Sequence, residues 1–345
     1  MKRFAFVIST VLFLAACSSA GTPSESLSPS DSSSPSETCW TSPLTGLCSV
    51  ESDPTLVVKI DDVSAARPQY SLNEADMIVV EPVEGGLTRL FAVYQSNQPL
   101  LIGPVRSARI TDPDIAEAFG KPGFAYSGSN NKVKPLLLGA SIQLVGHPQG
   151  GKGYTREPGR DAPHNLIGTF ADVISRIKDL AAAKMTTTSA FDFSDKPTAG
   201  TDIIDFNVKW PAERKTFTWN STLNKWTIKS FKTDVVSLDA VTKEQKLAIA
   251  DTVFVMNSEL LPNPTSKLTP YPKTFGQGSG YIFTRGQVIP VTWKRPTVKD
   301  LPHFFDANGT EVSIAKGRLW WLIASTREKV TINYAASPSP SESAS

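Results

Sequence analysis

The chain has no hydrophobic run long enough to cross a bilayer. Its apolar stretch from Phe4 to Leu14 falls well short of the roughly 20 residues a spanning helix needs. It also lacks an excess of charge of one sign. Thirty-five Lys and Arg stand against 33 Asp and Glu in 345 residues, a formal +2, and the signs are interspersed. No nucleic-acid partner is expected, because such binding rests on a clustered basic face. Cysteine and histidine are scarce, three of each. Cys39 and Cys48, with no histidine nearby, cannot fill zinc's four positions, so no metal and no cofactor is expected. Gly-x-Ser-x-Gly and His-Glu-x-x-His are absent, which removes support for those nucleophile and zinc arrangements. Gly146 to Lys152 nearly matches a phosphate-binding loop, but Gly153 stands where a Ser or Thr would hold magnesium. There is no internal repeat.

What the chain does carry first is an address. Lys2 and Arg3 precede the apolar stretch, and Ala15-Ala16-Cys17 closes it, the pattern of a bacterial lipobox over residues 1–16 with acylation at Cys17. The expected partner is the lipid bilayer, and the expected location is the outer face of the bacterial cytoplasmic membrane. Two acyl chains suffice for stable anchoring at about 0.8 kcal/mol per buried methylene. Residues 17–38, rich in Ser and Pro, cannot bury a core and read as a disordered tether; residues 335–345 read as a disordered tail. With Cys17 acylated, Cys39 and Cys48 remain as an even pair in an oxidising compartment, and a disulfide between them is expected.

The body reads as α+β, a mixed α/β N-terminal domain over 39–195 followed by a mostly antiparallel β domain over 201–334. Strands are expected at Leu56–Ile60, Met77–Val80, Thr88–Tyr94, Phe124–Ser127 and Ile142–Val145. Helices are expected from Thr111 to Phe119, and from Gly168 to Ala183 with Phe170, Val173, Ile174, Ile177 and Leu180 on a core face. Beyond residue 201 the period becomes two, with strands Thr216–Trp219, Lys225–Lys229, Gly280–Thr284 and Gln287–Trp293. Six of the seven tryptophans lie there, at a spacing that suits cross-strand packing better than a sugar platform.

Two stretches are unusually polar. In the first, Asp61, Asp62, Glu81, Glu84 and Arg89 would meet at one sheet edge if their strands pair, joined by Arg106 and Arg109 from Gly103-Pro104-Val105-Arg106-Ser107-Ala108-Arg109. Planar guanidinium groups suit clamping of carboxylate or phosphate; the same groups also suit an internal ion network. The second stretch, Gly150 to Asn165, is a loop that delivers Arg156, Arg160, His164 and Asn165. His164 with Asp61 or Glu81 has the makings of an acid and base; alternatively it caps or bonds the backbone.

At these residues the chain resembles the YerB-like lipoproteins, a bacterial family of unassigned function. The resemblance rests on Pro43-Leu44-Thr45-Gly46, Ala66-Arg67-Pro68-Gln69, Val83-Glu84-Gly85-Gly86, Thr88-Arg89, Ile102 to Arg109 and Ala162-Pro163-His164-Asn165. In the C-terminal part it rests on Gly286-Gln287-Val288-Ile289, Thr292-Trp293-Lys294 and Gly317-Arg318-Leu319-Trp320. It implies a lipoprotein with an N-terminal and a C-terminal domain, and it implies no mechanism.

The leading expectation is thus a tethered lipoprotein that binds an anionic cell-wall fragment, peptide or envelope protein through Glu84, Arg89, Arg106, Arg109, Arg156, Arg160, His164 and Asn165. The alternatives are a hydrolase or transferase acting on an envelope polymer with Asp61 or Glu81 and His164 as acid and base, and a structural or partner-binding lipoprotein.

Overall fold

The structure, a computed structural model, describes residues 39–49, 53–185 and 190–336. The expected signal segment over 1–16, Cys17, the expected tether over 17–38 and residues 337–345 of the expected tail lie outside the described residues. Leu56–Asp61 (β1), Met77–Pro82 (β2) and Thr88–Tyr94 (β3) are buried at every position, as near-continuous apolar strands covered on both faces should be. Their side chains divide by the two-residue period. Val58, Ile60, Ile78, Val80, Leu90 and Ala92 face one core, while Val57, Met77, Val79, Phe91 and Val93 face another. Thr111–Ala116 (α1) follows, then Gly123–Ala125 (β4), Lys134–Gly139 (α2) and Gln143–Leu144 (β5).

The second half supplies Thr201–Trp210 (β6), Glu213–Asn220 (β7), Lys225–Ser230 (β8), Thr252–Ser258 (β9), Gly276–Thr284 (β10), Gln287–Arg295 (β11), Leu319–Ser325 (β12) and Lys329–Tyr334 (β13). The central sheet runs β6-β11-β10-β9-β12-β2-β3-β1-β4-β5. Strand β12 is the joint: it lies parallel to β9 on one side and to β2 on the other, with Leu319 opposite Met77 and Leu322 opposite Val80. The two sequence halves therefore complete one sheet.

After Asp202, β6 leaves β11 and pairs instead with β7 and β13. The resulting layer sets Phe206, Phe217 and Trp226 against Phe283 and Trp320 of the central sheet. On the opposite face, Ile115, Phe119 and Leu137 from the helical segments cover Val57, Phe91 and Phe124. Each such large apolar side chain contributes about 1.5–3 kcal/mol on burial.

The tryptophans are packing residues, as expected. Trp219 and Trp226 are register partners with ring centroids 5.1 Å apart, and Trp210, Trp293, Trp320 and Trp321 are buried. The helix expected from Gly168 to Ala183 is corrected: Leu166–Thr169 is a strand, and only Phe170–Ile174 (α3) is helical. On the amino side, Leu166–Thr169 is drawn into strand pairing with Tyr154–Arg156 and Leu101–Ile102; on the carboxyl side, a side chain captures the backbone. Gln143 Oε1 accepts from Lys178 N at 3.0 Å and Asp179 N at 2.8 Å, and its amide donates to Asp179 O at 2.8 Å. Phe170, Val173 and Ile177 are core as expected, but Leu180 is 50% exposed. The Cys39–Cys48 disulfide is formed, with Cα atoms 5.6 Å apart, across a short antiparallel pair.

Candidate functional site

Strands β1, β2, β4, β9 and β12 run in one direction, so their carboxyl ends meet at one edge of the sheet. That edge is where open sheets with parallel strands gather ligands. Asp61 ends β1, Glu81 and Glu84 sit at and just beyond the end of β2, and β3, running oppositely, begins there with Thr88 and Arg89. In the register, Arg89 lies between Asp61 on one neighbour and Glu81 on the other. The pleat places all three on one face of the sheet.

The Ile102–Arg109 segment is stitched into this edge by its backbone. Val105 N donates to Leu166 O at 2.6 Å, Arg106 N to Lys59 O at 2.7 Å and Ala108 N to Gly128 O at 2.8 Å. Gly103 makes the entry possible: its φ is +126°, and a Cβ would stand 2.8 Å from Val105 N. The Arg67–Pro68, Gly103–Pro104 and Ala162–Pro163 peptides bordering this region are cis.

Arg109 grips Glu84 as a fork. Its Nε donates to Oε2 at 2.7 Å and its Nη2 donates to Oε1. Arg89 Nη2 reaches the same Oε1 at 3.5 Å, and its Nη1 donates to Ser107 O at 2.7 Å. Two guanidinium groups thus share one carboxylate. Burial alone would raise the Glu84 carboxyl, but hydrogen bonds and charge from Arg109 hold it at about 2. Burial lowers Arg89 to about 10, and the neighbouring charge of Arg109 adds to that.

Beneath this pair lies a closed ionic cluster. Lys59, fully buried, pairs with Glu81 and with Asp112 Oδ1 at 2.7 Å. Burial first, then the charge of Asp112, pushes the Glu81 carboxyl up to about 7, against the opposing pull of Lys59. Glu81 has no exposed surface, so the sequence expectation of Glu81 as an accessible acid or base is corrected: it is sealed in a structural network.

Beside the fork, Asp61 Oδ2 accepts Arg106 Nε at 2.8 Å and lies 2.7 Å from His164 Nδ1. His164 is 23% exposed. Asp62 turns the other way, pairing with Lys215 of β7 at 2.7 Å and accepting Thr88 Oγ1 at 2.6 Å, which ties the site to the second half. The remaining loop residues point elsewhere. Arg160 donates to Ala66 O and Pro68 O, both at 2.8 Å, and pairs with Glu157. Arg156 Nη1 donates to Asn165 Oδ1 at 2.7 Å, and Asn165 Nδ2 donates to Arg160 O at 2.9 Å. These contacts hold the loop together and tie it to the Ala66–Pro68 segment. Of the residues expected to bind a ligand, only Glu84 and Arg109 line the cavity beside them; Arg89, Arg106, Arg156, Arg160, His164 and Asn165 do not.

That cavity, about 460 Å³, is lined by Glu84, Ser107, Arg109, Gly128, Ser129, Asn130, Ser266, Leu268 and Thr269. Glu84 is 39% exposed toward it, and Leu268, 81% exposed, stands at its margin. The small polar residues were missed in the sequence. Ser127-Gly128-Ser129-Asn130, directly after a strand, was the available signal, and Ser129-Asn130-Asn131-Lys132 also has Ser-x-x-Lys spacing. Ser266 to Thr269 carried no signal, because they arrive from the loop after β9. Among the described residues, no cluster of three or more His, Cys, Asp or Glu is arranged to hold a metal, and no helix is long and apolar enough to cross a membrane.

Residues 44–185 match the N-terminal domain, and residues 205–321 the C-terminal domain, of a family described as protein of unknown function (DUF3048). Fold and matches together define a two-domain protein whose halves share a sheet. The chain belongs to the YerB-like family. It is 25% identical over 289 residues to YerB of Bacillus subtilis (strain 168), whose name designates it a lipoprotein, covering 81% of this chain and 84% of that one. Its fold is similar to the crystal structure of YerB from Bacillus subtilis, with a TM-score of 0.71 at 20% identity, covering 84% of this chain and 99% of that one.

Proposed function

We propose that this chain is an extracytoplasmic lipoprotein, held at the outer face of the cytoplasmic membrane through acylated Cys17, and that the cavity beside Glu84 and Arg109 binds an anionic, hydroxyl-bearing envelope ligand. The lipobox and the lipoprotein name of the relative support the address. The ligand class rests on one observation: Arg89 and Arg109 share a single carboxylate, Glu84, at the wall of a cavity otherwise lined by hydroxyl, amide and glycine groups and by Leu268 at its margin. A ligand anion there relieves the repulsion between the two guanidinium groups, and Ser107, Ser129, Asn130 and Thr269 offer hydrogen bonds to hydroxyls. Calorimetric titration of the full chain with soluble muropeptides and with glucuronate, against glucose as the uncharged control, tests this. Binding of the charged probes that Arg109→Ala abolishes is the expected result; equal binding of glucose, or none by any probe, overturns it.

The Asp61–His164 contact favours a second reading, a hydrolase or transferase acting on an envelope polymer. With Nδ1–H donated to Asp61 at 2.7 Å, the imidazole presents Nε2 as a base. Cleavage of purified wall polymer that His164→Ala abolishes would select this reading over simple binding.

A further inference from the structure

A second polar cavity lies at the opposite edge of the sheet, where the parallel strands begin. Asp76 immediately precedes β2, Asp251 precedes β9 and Arg318 precedes β12, while Ser96 and Asn97 follow β3. All five line a cavity of about 310 Å³ together with Lys225 and, from the disulfide-linked hairpin, Thr45, Leu47 and Cys48. None of these residues takes part in the site at the carboxyl edge.

The charges are balanced but not mutually spent. Lys225 pairs with Asp251, whose Oδ2 also accepts Arg318 N at 2.8 Å. Arg318 directs Nε to Ala75 O at 2.7 Å, a neutral acceptor. Asp76 Oδ2 accepts Gln95 N at 2.6 Å and Ser96 N at 2.9 Å, but its Oδ1 and the Ser96 hydroxyl are buried without a hydrogen-bond partner. A buried carboxylate oxygen left without a donor is costly. One carboxylate and one guanidinium, each lacking a charged partner at hydrogen-bond distance, therefore border the same small space. Two acids and two bases leave it with no net preference for a bare anion or a bare cation.

We propose that this amino-edge cavity is a binding site for a free α-amino acid zwitterion, its ammonium donating to Asp76 and Ser96 and its carboxylate accepting from Arg318. A ligand that carries both charged groups on one carbon satisfies both walls without leaving either ion uncompensated. The hairpin fastened by Cys39–Cys48 forms one wall, so the site depends on that closure. It is independent of the ligand at the carboxyl edge.

The test is calorimetric titration of the full chain with glycine, D-alanine and L-alanine, with propionate and ethylamine as probes that each lack one charge. Saturable binding of at least one amino acid is expected with Kd on the order of 1 mM or tighter, with neither single-charge probe binding. Asp76→Asn, which keeps an acceptor for the Ser96 amide, is expected to weaken binding at least tenfold. Should Asp76→Asn fail to fold, Ser96→Ala and Lys225→Gln carry the same test, the first weakening binding and the second weakening it less. Absence of binding by all three amino acids, equal binding of propionate or ethylamine, or unchanged affinity in both Asp76→Asn and Ser96→Ala overturns the proposal.

Discussion

Asp112 holds Arg109 by its backbone: Asp112 Oδ2 accepts the Arg109 N–H at 2.5 Å while its Oδ1 lies 2.7 Å from Lys59 Nζ. A sealed lysine inside the sheet is thereby connected, through one helix-borne carboxylate, to the arginine that walls the cavity. The site's geometry is set from below.

Replacing that lysine removes the only cation among the named members of the cluster. Lys59→Met leaves Glu81 and Asp112 buried without it, and we expect a loss of about 3–5 kcal/mol. Because Glu81 can take up a proton, the loss should be larger at pH 8 than at pH 5. Urea unfolding at both values checks this, and equal losses would contradict the ionic account.

The Glu81 carboxyl gives a pH signature of definite sign. Its folded value, about 7, lies above the ordinary 4.5, so its contribution to stability is full below about 4.5 and declines as pH rises through about 7. The difference in unfolding free energy between the native chain and Glu81→Gln should shrink or reverse over that window. A difference that stays flat from pH 4.5 to 8 would refute it.

Glu84 has the opposite sign and competes with any incoming anion. Held at about 2, it stabilises above its ordinary range and loses that contribution as pH falls from about 4.5 through about 2. At neutral pH, Glu84→Gln releases Arg89 and Arg109 and should raise glucuronate affinity about tenfold, or about 1.4 kcal/mol. Weaker binding in Glu84→Gln would instead make Glu84 a ligand-contacting group.

Because β12 lies between strands of both halves, damage there should spread to each. Leu322→Ala removes a fully buried side chain and should cost about 2–5 kcal/mol. Hydrogen exchange should then accelerate in β1–β3 and in β9–β11 together. Acceleration confined to the C-terminal strands would mean that the halves unfold separately.

The hairpin disulfide should contribute about 2–3 kcal/mol, as a short loop does in the chain-entropy model. Thermal unfolding of the Cys39→Ser, Cys48→Ser double variant measures it. An unchanged midpoint would show that packing alone holds the hairpin.

Much of the fold was legible because its signals are local. The β3 segment matched residue for residue, and β1 and β2 were found to within two residues, since continuous apolar runs between polar breaks leave little choice. The Gly168–Ala183 helix misread came from reading helical spacing without seeing Gln143, whose side chain meets that backbone from 35 and 36 residues away. In the candidate site, Glu84, Arg89 and Arg109 were anticipated together. Arg156 and Arg160 were grouped with them on composition, yet their guanidinium groups are taken up by the Asn165 amide oxygen, by the Ala66 and Pro68 carbonyls and by the Glu157 carboxylate.

By itself the sequence determined what short-range chemistry can write: the two-residue alternation of the second half, a disulfide closing a short loop, and the residue types available for an ionic edge. Tertiary structure decided which of them meet. His164 reaches Asp61 across 103 residues, and Thr269 comes within 3.5 Å of Glu84 across 185. The strand that joins the halves pairs in parallel with β2 far upstream. Parallel pairing needs long connections and leaves no turn or register mark in the local chain, so only the packed sheet could choose these partners.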